Sequence, residues 1–332
     1  MAMDKSSADS YLYSKMSGML AKSFAGKNEH KLFEVKSLQE LWSLVFKTEV
    51  PAVPEILLAK QIEKDASDKF ISDFIGLLKN YSKPHPFLLS LLQFFDYENI
   101  KCAGAVLAMQ ENKVPEFNNI APFNIIDYEK WPSLKKMTEN GPLSWYDCAP
   151  ELSQQSLVNY KLDRQYVTYL WKSLHKVDSE CRKELESLIR EKFSIENVVW
   201  ALRLKIYYNY KNEDIIPLLA YSDGEVNEKD PLVEDAMKIL DWDLSDAEKW
   251  LKWKHKDLLN PYTDGTSWRV DPRWISNSFK RKYIKNAYRM FHIYPFTECP
   301  LVCWYILKRN ELDNIRTVVE SIRLGQWEAL NG

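Results

Sequence analysis

The chain has 332 residues, of which 45% are apolar and 28% are charged, and its formal net charge is −2. This length suits two or three compact units, and the composition is typical of a globular protein rather than of a disordered or membrane-embedded chain. The first ten residues lack the basic and apolar regions of a signal peptide. The longest apolar run, residues 299–307, is much shorter than the roughly 20 residues that span a bilayer. We therefore expect a cytoplasmic protein without a membrane span.

The nine glycines are too widely spaced to form a nucleotide-binding loop. The closest pair, Gly325 and Gly332, lies seven residues apart. The dinucleotide fingerprint and the phosphate loop both need glycines within about five positions, because only glycine lets the backbone approach a phosphate closely. Both motifs are excluded. The low glycine content, together with 12 tryptophans, 18 tyrosines and 14 phenylalanines, favours long elements packed side by side.

Four segments have the spacing of amphipathic helices, and alternating strand patterns are scarce. In chain order they cover residues 70–81, 162–174, 185–193 and 312–322. Pro84 and Pro86 are expected to stop the first helix, and Gly325 is expected to end the last. Pro217 and residues 222–224 indicate a loop. The sequence therefore predicts an all-α protein.

A triplet consisting of an acid, asparagine and a branched aliphatic residue occurs three times. The asparagines are separated by 98 and 117 residues, whereas chance alone predicts about 0.3 such triplets. We therefore predict three helical repeats, over residues 5–110, 111–213 and 214–330. A coincidence among generic helices is the alternative. The architectural positions of the repeats are Glu98, Asn99, Glu196, Asn197, Asp313, Asn314 and, after the last triplet, Arg316.

The residues around the triplets support the repeat. Asp96 and Ser194 stand three residues before the first two asparagines, where they are expected to cap a helix, while Glu311 in the third copy is a poorer cap and the helix is expected to continue through it. We expect the asparagines to bond helix ends at corresponding corners of three units around a pseudo-threefold axis. Upstream, each copy has an aromatic residue (Phe70, Tyr166 and Tyr283) and a similar segment (residues 41–51, 131–142 and 247–261).

Charges are unevenly distributed in the last third of the chain. Residues 213–246 contain eleven acids and two bases, and residues 249–289 contain eleven bases and three acids. Trp250, Trp253, Trp268 and Trp274 interleave with the basic block, and such a composition is typical of single-strand nucleic acid grooves. A pI near 6.3 argues against nucleic acid binding. The acidic block can instead neutralise the basic block or face a protein partner.

Five basic residues recur on one predicted helix of the third repeat. They are our candidates for binding an acidic protein partner. A solvated helix face, or pairing with the chain's own acidic block, is an open alternative. The five are Lys280, Arg281, Lys282, Lys285 and Arg289.

Candidates for catalysis or metal binding are weak. Asp241 and Asp243 would diverge by about 200° on a helix, whereas Asp65 and Asp68 share a face but stand beside lysines. Neither pair is joined by a histidine or an arginine cluster. We therefore expect no catalytic residue and no cofactor.

The five cysteines are odd in number and scattered, so we interpret them as reduced core thiols. Cys299 and Cys303 lie four residues apart and could place two metal ligands on one helix face. Pro300 and the apolar residues around them favour buried packing instead. No metal site is expected.

Two segments, together with the triplets, resemble a known family. The segments are YLYSKMSGMLAKSF at residues 11–24 and, above all, the tail YPFTECPLVCWYILKRNELDNIRTVVESIRLGQ at residues 294–326. In the tail, a proline-led apolar helix runs into an acid, then Asn-Ile-Arg, then a further helical segment containing isoleucine. These features resemble the C subunit of the bacterial and archaeal V-type ATPase, also called A-type, whose eukaryotic counterpart is the d subunit.

The resemblance implies an all-helical, funnel-shaped protein with three repeats around a pseudo-threefold axis and no catalytic activity or cofactor. It would lie between the central rotor axle and the cytoplasmic face of the membrane proteolipid ring, and would couple them for H+ or Na+ transport. Torque transmission requires stiffness, which glycine-poor helices supply. The alternative is a helical-repeat adaptor unrelated to the ATPase.

Overall fold

The computed structural model describes residues 3–111, 113–177, 180–263 and 267–326. Within these ranges the regular structure is helical and no strand is present; an isolated bridge joins Met3 to Tyr81. The prediction of an all-α protein is confirmed. Residues 112, 178, 179, 264–266 and 327–330, which fall within the predicted repeats, lie outside the described residues.

Thirteen α-helices are found in the described residues. Seven of them have 17 or more residues, and the rest are short. In chain order they are α1 (Lys5–Ala21), α2 (His30–Phe33), α3 (Leu38–Phe46), α4 (Glu55–Leu78), α5 (Pro86–Ala108), α6 (Leu134–Thr138), α7 (Gln155–Leu174), α8 (Arg182–Tyr207), α9 (Asn212–Ile215), α10 (Glu234–Ile239), α11 (Ala247–Trp250), α12 (Pro272–Ile293) and α13 (Cys299–Arg323).

The segments predicted from periodicity lie on α4, α7, α8 and α13, and all four helices are longer than the predicted segments. The first predicted segment, residues 70–81, extends three residues beyond Leu78, where α4 ends. α4 ends at Leu78, before Pro84, whereas Pro86 is the first residue of α5. A proline is favourable at that position because the first N–H groups of a helix have no intrahelical partner. The side chain of His85 caps α5 by accepting the N–H of Phe87 at 3.1 Å.

The chain divides into two compact units. The first comprises Met1–Leu152 and Ala287–Gly332, and the second comprises Ser153–Asn286. Helix α12 begins in the second unit and ends in the first.

In the first unit, α13 packs against α1, α2, α4 and α5. Trp304 is fully buried, and its ring lies parallel to those of Phe70 and Phe74, with centroids 6.1 Å apart in each pair. The ring of Tyr305 lies 5.0 Å from that of Phe74. These large buried rings supply much of the apolar area that stabilises the unit.

In the second unit, α8 packs against α7, α9 and α10. The later part of the unit contributes tryptophans to this core. Trp250, the last residue of α11, is fully buried, and its ring meets those of Trp242 and Trp253 edge to face at 5.1 and 5.7 Å. Trp268 is also buried, whereas Trp274 is 41% exposed. Three of the four tryptophans of the basic block are therefore packed inside the unit and are not available to stack on bases.

Candidate functional site

The basic residues singled out from the sequence lie on α12, as predicted. Lys280, Arg281 and Lys285 are exposed on the part of the helix that belongs to the second unit. Arg289 follows one turn later, is also exposed, and belongs to the first unit. The helix therefore carries its positive charge on the solvent side.

Lys282 differs from its neighbours because it forms ion pairs within the second unit. Its Nζ lies 3.0 Å from Glu191 Oε1 and 3.5 Å from Asp257 Oδ2. Partial burial lowers the pKa of Lys282, but the two ion pairs outweigh that effect and raise it. Lys282 therefore pairs with acids of its own chain, but neither acid belongs to the acidic block of residues 213–246.

Within the described ranges, no ion pair involves Arg281, Lys285 or Arg289. Arg281 has a hydrogen-bond contact of 3.5 Å with Ser278 Oγ on its own helix. The exposed ring of Trp274 stands two turns before Arg281, on the same face of α12. An exposed face that combines cations with an aromatic ring is chemically suited to an acidic protein surface.

The first repeated asparagine fastens a loop to a helix. Asn99 is 2% exposed and lies within α5. Its Nδ2 donates to the carbonyl of Asn118 at 2.9 Å, and its Oδ1 accepts the N–H of the same residue at 2.8 Å. The donor and the acceptor of the side-chain amide therefore both bond to the backbone of one residue in the loop that follows the helix.

The second asparagine makes the same arrangement in the other unit. Asn197 lies within α8, donates to the carbonyl of Ala220 at 2.9 Å and accepts its N–H at 2.8 Å. The same Nδ2 also donates to the carbonyl of Leu232 at 2.8 Å. In two of the three triplets the asparagine thus makes the same bidentate contact, with a backbone residue that lies 19 or 23 residues later in the chain.

The third asparagine has a different partner. Asn314 Nδ2 donates to Glu29 Oε1 at 2.6 Å, and Asn310 Nδ2 is 3.5 Å from the same oxygen. Glu29 lies directly before α2, near the beginning of the chain. A side chain from the N-terminal segment therefore takes the place that a loop backbone takes on α5 and α8.

The predicted capping role of these segments is wrong. The three asparagines lie inside long helices, and the first two hold loop backbones rather than helix ends. Asp96 and Ser194 are also inside their helices: Asp96 accepts the Ile125 N–H at 2.5 Å and the hydroxyl of Tyr128, and Ser194 donates to Asp235 at 2.6 Å. The helix continues through Glu311, as expected. A polar residue before an apolar run signals a cap only if the chain turns there, which the sequence does not reveal.

The acids of the triplets have partners on their own helices. Glu98 pairs with Lys101, and Glu196 pairs with Lys192, each at 2.7 Å. Asp313 lies 3.9 Å from Arg309 and 3.8 Å from Arg316. Such partly exposed pairs contribute little to stability. The asparagine is therefore the structurally important member of each triplet.

A recurrence that the sequence analysis missed occurs at the ends of α5, α8 and α13. Each helix is followed by a residue with positive φ, Gln110 (54°), Asn209 (55°) and Gly325 (65°), which lies 11 or 12 residues after the repeated asparagine. The next N–H then bonds back to the helix, from Glu111 to Val106 at 3.1 Å, Tyr210 to Leu204 at 3.2 Å and Gln326 to Ser321 at 2.9 Å. Glycine and asparagine signal such an ending, but glutamine does not.

Short helices with equivalent caps precede the long ones. The side chains of Ser37, Ser133 and Asp246 accept the N–H three residues later and so cap α3, α6 and α11. Among the three similar upstream segments, Ser133 belongs to the second, Asp246 directly precedes the third, and Ser37 lies four residues before the first. A helix start of this kind satisfies an N–H group that has no partner within the helix.

In the second unit, several polar side chains surround the buried carboxyl of Asp235. Asp235 Oδ1 lies 2.7 Å from Lys254 Nζ, and its Oδ2 lies 3.3 Å from His255 Nε2. Burial alone would raise the pKa of Asp235, but the hydrogen bonds from His255, Lys254 and Ser194 hold it well below its usual value. These contacts connect α8 and α10 to the segment that follows α11.

The weak catalytic candidates remain apart from any such cluster. Asp241 and Asp243 lie outside the helices, so the helical geometry expected for them is not present; they contact Asn212 and Ser245, respectively. Asp65 accepts from Gln61 on α4, where burial raises the pKa of Asp68.

The described residues contain no group of three or more histidine, cysteine, aspartate or glutamate side chains placed to hold a metal ion. Cys299 and Cys303 are fully buried, with their Sγ atoms 3.8 Å apart. In the same ranges, we find no helix whose length and apolar character would allow it to span a bilayer.

Comparison with known proteins identifies the family. Residues 12–331 match the family described as ATP synthase (C/AC39) subunit. The chain is 26% identical to a Treponema pallidum (strain Nichols) protein named "Uncharacterized protein", over 332 residues that cover 99% of this chain and 97% of that one.

Two archaeal proteins are also similar. Both are named as the C subunit of an A-type ATP synthase, from Methanosarcina barkeri (strain Fusaro / DSM 804) and from Methanosarcina mazei (strain ATCC BAA-159 / DSM 3647 / Goe1 / Go1 / JCM 11833 / OCM 88). They are 21% and 22% identical to this chain, over 175 and 183 residues. These matches cover 52% of this chain and 46% of each relative.

The family match extends over nearly the whole chain and includes both segments that carried the resemblance. It disfavours an adaptor unrelated to the ATPase and places the protein in a complex of several subunits. The chain belongs to the ATP synthase (C/AC39) subunit family.

Proposed function

We propose that the protein is a non-catalytic central-stalk subunit of a V-type ATPase at the cytoplasmic face of the membrane. It joins the rotor axle to the membrane proteolipid ring, so that ATP turnover is coupled to H+ or Na+ transport. The family match over residues 12–331 carries this proposal. The long, glycine-poor helices and their interlocked aromatic cores supply the stiffness that force transmission requires.

We further propose that the chain consists of three related helical repeats arranged as a funnel around a pseudo-threefold axis. Three features recur in the same order: a capped short helix, a pair of long helices and a left-handed residue at the end of the second one. The pairs are α4 with α5, α7 with α8 and α12 with α13. Asn99, Asn197 and Asn314 occupy equivalent places on the second helix of each pair.

In the third repeat, Asn314 donates to the side chain of Glu29, whereas Asn99 and Asn197 bond to loop backbones. In this proposal the N-terminal segment therefore completes the third repeat, and the chain closes on itself.

The exposed positive charge of α12 is the surface that we propose for an acidic protein partner within the rotor. Arg281 and Lys285 carry the proposal, because they have no ion pairs in the described part of the chain; Lys280 and Arg289 add charge to the same helix. Lys282 positions α12 through Glu191 and Asp257. Electrostatic attraction of this kind accelerates association and weakens as salt is added.

The function is tested by purifying the tagged full-length protein from detergent-solubilised membranes of its own host and analysing the particle by native mass spectrometry. We expect it to be recovered with the ATP-hydrolysing, axle and proteolipid subunits in one complex. Deletion of the gene should abolish ATP-driven ion uptake by membrane vesicles, and the plasmid-borne gene should restore it. Recovery of the protein without ATPase subunits, or unchanged ion uptake after the deletion, would contradict the proposal.

A further inference from the structure

The N-terminal arm, residues 3–34, lies on α13 within the first unit. Both α1 and α2 contact α13. At the start of the arm, the Met3 N–H donates to Asn80 and the Ser82 N–H donates to Met3, both at 2.8 Å. At its other end, Glu29 accepts from Asn314. One face of α1 is buried through Ala8, Leu12, Met16 and Leu20.

Two buried carboxylates belong to α1 and to the residue directly before α13. Asp9 of α1 is 3% exposed and accepts the hydroxyl of Tyr81 at 2.5 Å. Glu298, directly before α13, is 1% exposed, and its Oε1 lies 2.6 Å from Lys5 Nζ. Glu298 Oε2 has no hydrogen-bond partner among the described residues.

The charges in this cluster do not balance when both acids are ionised. Asp9 and Glu298 contribute two negative charges, whereas Lys5 contributes a single positive one and Tyr81 is neutral. A buried charge without a counter-charge is unfavourable, and a nearby like charge strengthens proton binding. One proton on Asp9 leaves one negative and one positive charge, and the Tyr81 hydroxyl still has an oxygen to which it can donate.

The electrostatic environment favours uptake of that proton near neutral pH. Burial raises the pKa of Asp9 to about 6, the Tyr81 hydrogen bond opposes the increase, and Glu298 adds to it. Lys5 acts in the opposite direction. These are the ionisable groups that face Asp9 from α1, from the α4–α5 turn and from the start of α13.

We propose that the Asp9–Glu298 cluster binds a proton as its surroundings acidify and thereby holds the N-terminal arm more firmly on α13. Opening of the arm would expose Asp9 to water, where the carboxyl binds a proton more weakly. Linkage then requires that protonation favour the closed arm. The pKa of Asp9 is higher in the folded protein than in the unfolded chain. Above the folded-state pKa, Asp9 is ionised and destabilises the closed arm. As the pH falls through the folded-state pKa, Asp9 binds a proton and this destabilisation disappears. The cluster lies wholly within the first unit, and its response to pH does not depend on the proposed function.

Hydrogen exchange of the full-length protein, followed by mass spectrometry at pH 7 and pH 5 and corrected for intrinsic exchange rates, tests this device. We expect the opening equilibrium of the α1 amides to fall about tenfold between pH 7 and pH 5. Asp9→Asn keeps an oxygen for Tyr81 and removes the charge, so its α1 amides should be protected to a similar degree at both pH values. Unchanged α1 opening in the wild-type protein would overturn the proposal.

Two further variants separate a local effect from a global one. Asp96→Asn replaces another buried carboxyl that accepts a tyrosine hydroxyl in the same unit, and it should leave the pH dependence of α1 intact. Glu298→Gln removes the like charge beside Asp9 and should reduce the difference between pH 7 and pH 5. If Asp96→Asn reduces that difference as strongly as Asp9→Asn does, or if Glu298→Gln leaves it unaltered, the cluster does not control the arm.

Discussion

Among single residues, the asparagines of the triplets have a larger role than the acids beside them. The amide of Asn197 presents a donor and an acceptor at the spacing of one peptide unit, so it pairs with both groups of Ala220. Glu196, the preceding residue, pairs with Lys192 on the surface of its own helix. The sequence singled out both residues, but only the folded loop shows which of them joins distant segments.

We expect Asn197→Ala to lower the free energy of unfolding by about 2 kcal/mol, because it leaves backbone groups of Ala220 and Leu232 without their partner. Glu196→Gln is the matched control and should cost less than about 0.5 kcal/mol. Denaturant titration of both variants measures the difference. Equal losses would argue against a special role for the asparagine.

Asp96 makes the stability of the first unit depend on pH. Burial raises its pKa to about 6 against the hydrogen bonds from Tyr128 and Ile125. Because the pKa of Asp96 is higher in the folded protein than in the unfolded chain, Asp96 contributes more to stability as the pH falls from about 6 towards the pKa of the unfolded chain. We expect Asp96→Asn to reduce the change in unfolding free energy between pH 7 and pH 5 by about 1 kcal/mol. Denaturant titrations at the two pH values test this, and an unchanged difference would contradict it.

Among the elements, α12 combines an internal anchor with an exposed charged face. Lys282 binds Glu191 and Asp257 within the second unit, while Arg281 and Lys285 point their charge towards solvent. Helical periodicity placed all three on one helix but did not separate them, because the acids that pair with Lys282 come from other segments of the chain.

Charge reversal on α12 should weaken assembly without weakening the fold. We expect the double variant Arg281→Glu with Lys285→Glu to keep its unfolding free energy within about 0.5 kcal/mol and to associate more slowly with the rest of the ATPase at low salt. Arg182→Glu with Lys183→Glu makes the same charge change at exposed positions of α8 and is the control. Association rates of the α12 variant and of the α8 control are measured at several salt concentrations. Equal rates for the two variants would show that α12 faces only solvent.

The end of α5 carries a local cost that a glycine should relieve. Gln110 adopts a left-handed conformation, which is unfavourable for residues with a Cβ. We therefore expect Gln110→Gly to raise the unfolding free energy by about 0.5 kcal/mol, whereas Met109→Gly, at a right-handed position, should lower it. Thermal denaturation of the two variants distinguishes these effects, and destabilisation by both would contradict the expectation.

For the whole molecule, the proposed triplication predicts a definite geometry. If the α4–α5, α7–α8 and α12–α13 pairs are related repeats, they should superpose by rotations of about 120° around one axis. An experimental map of the assembled rotor measures these rotations and shows which surface meets the ring. Rotations that share no axis would remove the funnel from the proposal while leaving the family membership unaffected.

Local sequence patterns were enough to predict the helical class, the positions of most long helices and the family, because apolar periodicity and local motifs are properties of neighbouring residues. The folded chain was needed to establish that Asp96 and Ser194 are not caps, that Lys282 is paired and that Asn314 donates to Glu29. These outcomes depend on contacts between residues far apart in the chain, and no local pattern encodes which distant group will fill a given hydrogen bond.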